Sequence, residues 1–237
     1  DVDNFEKLLI IGGGLTAGHL ATRAVRACQQ AANEHDGSTT KRHVTLCTRR
    51  AIQSRQFDLD LGWMGRERTS RLAEFWAVKN SEERMTRLAN AKNGGSMTPE
   101  VLSELSKGKQ FFDCLEDTNI EYAYFDDEKQ QWAVQFRDAD DVRWFDTIWC
   151  ATGTKIEMTQ GVFQSLSRHM NIVRNRLPKL TDDLRIAEDI NAFILGQHAG
   201  LTLGPGSVNL MGGRAGAARV AEALKFKKVF LSSYSMF

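Results

Sequence analysis

Nothing in this chain gathers its cysteines into a set. Cys28, Cys47, Cys114 and Cys150 are far apart and form no C-x-x-C, so neither a zinc site nor a redox dithiol is indicated. Cys47 and Cys150 fall in apolar, strand-like runs and read as small buried residues, which suits a reducing compartment. An excess of one charge is missing too. The 31 Lys and Arg stand against 30 Asp and Glu, leaving no global field for nucleic acid or acidic membranes. No apolar run approaches the ~20 residues of a spanning helix, so the expectation is a soluble or peripheral protein. The five histidines are scattered, and His19, His43 and His198 have no partner at ligand spacing. They read as structural, and no metal is expected. Internal repeats and low-complexity tracts are absent.

What the chain does have stands at its start. Lys7-Leu8-Leu9-Ile10-Ile11 runs into Gly12-Gly13-Gly14-Leu15-Thr16-Ala17-Gly18, and an alanine-rich helical stretch follows to about Ala32. A strand passing through a glycine turn into a helix makes an anion site, because the first helical amides lack partners and the dipole favours negative charge. Gly12 allows the tight turn, and Gly14 lets a pyrophosphate approach the backbone. Ala17 stands where the dinucleotide fingerprint has its third glycine and is small enough for helix–strand packing. Gly12, Gly13, Gly14, Leu15, Thr16 and Ala17 are therefore the first candidate cofactor-binding residues.

Asn33 to Lys41 reads as a polar loop, and His43–Cys47 as a second strand completing a β–α–β unit. Arg68–Val78 and Ser81–Lys92 have helical spacing. Asn93-Gly94-Gly95-Ser96 breaks the second of these, and Thr98-Pro99-Glu100 opens another helix with Thr as N-cap. Ile120–Phe125, Trp132–Phe136 and Val142–Phe145 predict a small antiparallel meander feeding a last central strand at Thr147–Ala151. Gly161–Met170 is expected to be helix, Phe193–Gly196 a short strand, and Gly206 to about Phe226 a long helix. The fold class is thus α/β: a Rossmann-like parallel sheet flanked by helices, with a β-meander and a C-terminal segment.

The end of the second strand selects the cofactor. An NAD- or FAD-binding half carries Asp or Glu there for the ribose hydroxyls. Here the strand runs into Thr48-Arg49-Arg50, with Arg55 following. Guanidinium forks at Arg49, Arg50 and Arg55 suit a ribose 2′-phosphate. Two such charge-assisted bonds would favour NADPH over NADH by about 10²–10⁴-fold before discounts for exposure. A second cofactor stretch is Ala151-Thr152-Gly153, ending a strand in a turn close to a dinucleotide. A third is the loop Gly196–Gly206 with Gly204 and Asn209. It reads either as amide donors for an anion or flavin edge, or as a close helix–strand contact.

Together these stretches resemble FAD/NAD(P)-binding oxidoreductase-like proteins of the two-dinucleotide flavoprotein superfamily, related to the lysine/ornithine N-monooxygenases. The carrying residues are Leu9–Ala21, Thr48-Arg49-Arg50 through Gln56-Phe57-Asp58-Leu59-Asp60-Leu61-Gly62-Trp63, Gly94-Gly95-Ser96-Met97-Thr98-Pro99-Glu100, Ile148–Thr154 and Leu203-Gly204-Pro205 to Asn209-Leu210. The resemblance implies that Gly12–Ala17 is the NADPH domain's fingerprint. It also implies that residues 1–155 form an NADP(H)-binding domain with a helical insertion, and that residues 156–237 resemble the part completing an FAD domain. Only eleven residues precede Gly12. The resemblance therefore implies either an FAD segment upstream of Asp1 or a lineage that lost it.

Two functions follow as expectations. One is an NADPH-dependent flavoprotein oxidoreductase of monooxygenase-like type, with NADP(H) as cofactor and FAD dependent on the upstream segment. No general acid or base stands out, and Asp58 and Asp60 are explained as well by a solvated loop. The other is a non-catalytic accessory subunit of a larger assembly, such as an organellar or plastid membrane complex, docking through the tail Lys225–Phe237. That tail mixes cationic and large apolar residues, and reads also as a fraying terminal helix folded back on the core. An NADPH sensor without turnover lies between the two. The compartment is expected to be cytoplasm or plastid stroma.

Overall fold

The computed structural model describes residues 5–34, 42–92, 96–137, 139–154, 156–158, 160–174 and 176–234. The chain begins with β1 (Lys7–Ile11), α1 (Leu15–Glu34), β2 (His43–Cys47) and the short β3 (Gln53–Ser54). Two helices follow, α2 (Arg68–Ala77) and α3 (Ser81–Ala91), then β4 (Ser96–Met97), α4 (Pro99–Lys107) and β5 (Phe112–Leu115). Next come β6 (Ile120–Asp126), β7 (Gln131–Phe136), β8 (Val142–Phe145) and β9 (Thr147–Cys150). The remainder holds α5 (Gln164–Ser167), β10 (Asn171–Val173), β11 (Leu177–Lys179), β12 (Arg185–Ala187), β13 (Ile190–Phe193), α6 (Gly200–Leu203) and α7 (Leu210–Tyr234).

These elements sort into two compact units. The first holds the described residues up to Asp58 and those from Ser96 to Thr154. Its centre is a parallel sheet in the order β5-β2-β1-β9. The two-residue period of β1 divides the core. Leu8 and Ile10 pack with Val44, Leu46 and the α1 residues Ala17, Ala21, Val25 and Cys28, while Leu9 joins Val134, Phe136 and Phe145 of the meander. Those α1 residues recur at helical spacing, so one stripe of the helix meets the sheet. The antiparallel sheet β6-β7-β8 forms as the sequence predicts. Asp146 staples the start of β1 to β9, its carboxylate accepting from the amides of Glu6 and Lys7.

The second unit holds the described residues Leu59–Lys92 and those from Ile156 onward. Its helices α2 and α3 bring Phe75, Met85 and Leu88 against Val173, Leu177 and Leu201. Arg84 ties the arrangement together by donating to the carbonyls of Val78 (2.7 Å), Trp76 (2.8 Å) and Leu201 (3.2 Å). The indole N–H of Trp76 adds a bond to Thr202 O at 2.9 Å. The two units are therefore interleaved in sequence, whereas the sequence reading divides the chain once, near residue 155. The hydrogen bonds that draw residues 59–92 to the C-terminal segment span from 92 positions (Glu82 to Arg174) to 126 (Trp76 to Thr202), and no local pattern announces them.

Most expected elements stand within two residues of their predicted bounds, including the Thr98 cap, whose hydroxyl accepts from Val101 N. Five expectations change. Strand β9 is an edge of the parallel sheet among the described residues, not a central strand. The sequence reading assigns no strand to Phe112–Leu115, where the structure has β5. Gly161–Met170 is broken into a 3₁₀ turn at Gly161–Phe163 and the four-residue α5. The strand expected at Phe193–Gly196 ends at Phe193, because Gly196 takes φ +71° and opens a 3₁₀ turn. The last helix starts at Leu210, after a 3₁₀ turn at Pro205–Val208. Gly94, Gly95 and most of the loop Asn33–Lys41 lie outside the described residues. So do the tail's residues 235–237 and the side chains from Phe226 onward, on which its docking reading rests.

Candidate functional site

Parallel strands β2, β1 and β9 end on one edge of their sheet, and there the chain turns at Gly12. Gly12 carries φ +150°, and its amide donates to Cys47 O at 3.0 Å. Ala151 N donates to Ile11 O at 2.8 Å. A Cβ on Gly12 would collide with the carbonyl oxygen of Ala151. The glycine is required both by its backbone angle and by the approach of the neighbouring strand's end.

Helix α1 opens directly beyond this turn. Its first intrahelical bond runs from Gly18 N to Gly14 O at 3.1 Å, so the amides of Leu15, Thr16 and Ala17 are not spent on the helix itself. No acidic residue occupies the first turn, and twenty residues of aligned peptide dipoles lie behind it. Ala17 is fully buried against the sheet, as a fingerprint's third small residue should be. Gly18, which the sequence reading did not single out, permits a second contact. A Cβ there would stand 2.7 Å from Val101 Cγ1 and 3.0 Å from Met97 Sδ, so its absence lets α4 pack closely. Gly13 is under no such demand, since its Cβ would meet only Thr48 Cβ at an ordinary 3.5 Å.

The parallel topology brings three predicted stretches to this edge: Gly12–Ala17 after β1, Arg49–Arg50 after β2 and Ala151–Gly153 after β9. Gly153 adopts φ +76° with open space around it, so its need is conformational. Arg49 and Arg50 are exposed, and neither side chain has a partner among the described residues. Arg55 follows β3, its amide bonded to Met97 O at 2.9 Å. No carboxylate ends β2. Chemically the set offers backbone amide donors and guanidinium groups, both suited to phosphate oxygens.

Gly204 and Asn209 belong to the other unit, where the structure gives both a packing task. Gly204 adopts φ +83°, and a Cβ on it would stand 2.7 Å from Leu72 Cδ2. Asn209 caps α7, its Oδ1 accepting from Met211 N at 3.0 Å and Gly212 N at 3.2 Å. In this structure Gly204 therefore serves close packing and Asn209 serves helix capping. Burial holds the thiols of Cys28 and Cys47 up at about 11 and that of Cys114 at about 12. The neutral forms of all three predominate at neutral pH, and none is a poised nucleophile. Among the described residues no cluster of His, Cys, Asp or Glu could hold a metal, and no helix is long and apolar enough to cross a membrane.

No family model matches this sequence, and no curated protein sequence matches it significantly. Solved structures do match it. A complex of the Kutzneria sp. 744 ornithine N-hydroxylase with reduced FAD, NADP+ and L-ornithine superposes with a TM-score of 0.68 at 12% identity, covering 94% of this chain and 55% of that one. The L-lysine 6-monooxygenase of Pseudomonas syringae gives 0.65 at 16% identity, over 94% and 54%. The ornithine hydroxylase of Pseudomonas aeruginosa gives 0.63 at 17%, over 92% and 52%. This chain thus spans about half the length of each. At such identities the likeness is one of fold: this chain has the α/β architecture of flavin-dependent N-hydroxylases.

Proposed function

We propose that this chain binds NADPH along the edge formed by β1, β2 and β9, as the nicotinamide-carrying part of a flavin-dependent oxidoreductase of the N-monooxygenase type. The observation that carries the reading is the pairing of unspent α1 amides at Leu15–Ala17 with a second strand that ends in Arg49-Arg50 instead of a carboxylate. The shared fold with N-hydroxylases supports the reaction class.

Each residue then has a task in binding. The amides of Leu15, Thr16 and Ala17 donate to the pyrophosphate, which Gly12–Gly14 allow to approach. Arg49, Arg50 and Arg55 hold the 2′-phosphate by charge-assisted hydrogen bonds. Ala151–Gly153 border the neighbouring strand end. When bound, NADPH supplies a hydride. This chain's contribution is to fix the carrier's phosphates so that its ring has one position. The flavin enters the proposal through the fold alone, since Gly204 and Asn209 are committed to packing and capping.

A titration of the purified chain with NADPH and with NADH, read by calorimetry, tests the proposal. NADPH should bind at least about tenfold more tightly, and Arg49→Ala with Arg50→Ala should abolish the difference. Equal affinity for the two carriers in the unaltered chain would end it.

A further inference from the structure

We infer that Asp117 and Thr48 are the positioning residues that hold the Arg49–Arg50 turn in the shape that selects a 2′-phosphate. The inference rests on the NADPH reading and assigns tasks to two residues that reading leaves idle.

Arg49 and Arg50 are long, exposed side chains on a turn that belongs to no strand or helix. Such groups discriminate between ligands only if the backbone beneath them is fixed, because otherwise ordering them offsets much of what their hydrogen bonds supply. The turn is fixed from one side. Thr48 N donates to Leu115 O and Thr118 N donates to Thr48 O, both at 2.9 Å, which continues the β2–β5 pairing past the end of β2. Thr48 Oγ1 reaches forward to Arg50 O at 2.6 Å. Ala51 N, on the far side of the arginines, donates to Asp117 Oδ1 at 3.0 Å. The two arginines are thus bracketed by hydrogen bonds before and after them.

Asp117 carries out this task in an uncommon conformation. Its φ is +51°, in the left-handed region that Asp and Asn tolerate better than other side-chain-bearing residues. The next residue locks the loop, Thr118 Oγ1 donating to Glu116 O at 2.8 Å. Thr48 is also buried and lies near the glycine turn, its Cβ 3.5 Å from where a Cβ on Gly13 would stand. One residue therefore lies next to the glycine turn and holds the arginine turn.

A carboxylate beside an anion site could instead act by repulsion, and the two roles make opposite predictions. Calorimetric titration with NADPH and NADH would compare the unaltered chain with Asp117→Gly, Asp117→Asn and Thr48→Val. Asp117→Gly deletes the acceptor yet suits the left-handed backbone, so folding is spared. It should weaken NADPH binding about five- to twentyfold while leaving NADH within about twofold, as expected for loss of one exposed charge-assisted bond. Asp117→Asn keeps an acceptor and should retain the preference. Thr48→Val, which keeps the shape and loses the hydroxyl, should lower the preference as Asp117→Gly does. An unchanged or tighter NADPH affinity in Asp117→Gly overturns the inference while leaving the NADPH reading intact. An unaltered chain that binds both carriers equally overturns both.

Discussion

Gly12 and Ala151 meet backbone against backbone, the carbonyl oxygen of Ala151 filling the space a Cβ on residue 12 would take. Gly12→Ala should therefore cost about 2–4 kcal/mol, combining left-handed strain with a clash against main chain that has little room to yield. Gly13→Ala, one residue on, meets only an ordinary contact and should change stability by about 1 kcal/mol or less. Urea unfolding of the two variants side by side checks the contrast.

The loop residues of the second unit should behave as structure. Asn209→Ala removes the cap of α7 and is expected to cost about 1 kcal/mol. Gly204→Ala forces a side chain into φ +83° and should cost about 1–3 kcal/mol. Thermal unfolding should report both losses, while the NADPH affinity of each variant stays that of the unaltered chain.

Of the four cysteines only Cys150 is exposed. A thiol reagent at neutral pH should modify it rapidly in the folded protein, and Cys150→Ser should remove that fast phase. Cys28, Cys47 and Cys114 should react only on unfolding. Their alkaline behaviour has a definite sign. Burial raises their folded pKa from the ordinary 9.0 to about 11, 11 and 12 respectively. The stability linked to keeping them neutral is complete below pH 9 and is lost as pH climbs through 11 to 12. Denaturant midpoints measured from pH 8 to 11.5 should fall across that window, and less steeply in a Cys114→Ala variant.

The pairing of α2 and α3 with the C-terminal segment is testable through Phe75, which is fully buried. Phe75→Ala should cost about 3–5 kcal/mol. Because Phe75 and Leu201 share one cluster, the combined Phe75→Ala, Leu201→Ala variant should lose less than the sum of the single losses, by about 0.5–3 kcal/mol. Additive losses would mean that the two sides do not pack together.

The beginning of the fold was legible because its signals are local. An apolar run, three glycines and a small-residue helix face appear within thirty positions, and β1, α1 and β2 follow them closely. The place of Arg49-Arg50 just past the end of β2 was legible for the same reason. What holds that pair was not, because Asp117 is 66 residues from the amide it accepts, and a lone Asp in a turn carries no such message. Strand β5 escaped notice for a related cause. Its Asp113 looks like loop chemistry until His43 and Thr45 are seen to bond it from the next strand, at 2.6 and 2.8 Å. At Gly204 and Asn209 the sequence leaves two readings open, because a glycine-dense loop before a helix looks the same whether a ligand or Leu72 lies beside it.

The chain passes from one compact unit to the other near residues 58, 94 and 154, and this bears on how the molecule comes into being. Neither body is a continuous stretch, so no single cleavage or truncation releases either one whole. During synthesis, helices α2 and α3 emerge early with Phe75, Met85 and Leu88 uncovered, and their companions Val173, Leu177 and Leu201 are made about a hundred residues later. The sheet edge formed by β1, β2 and β9, by contrast, has all its strands once Cys150 has left the ribosome.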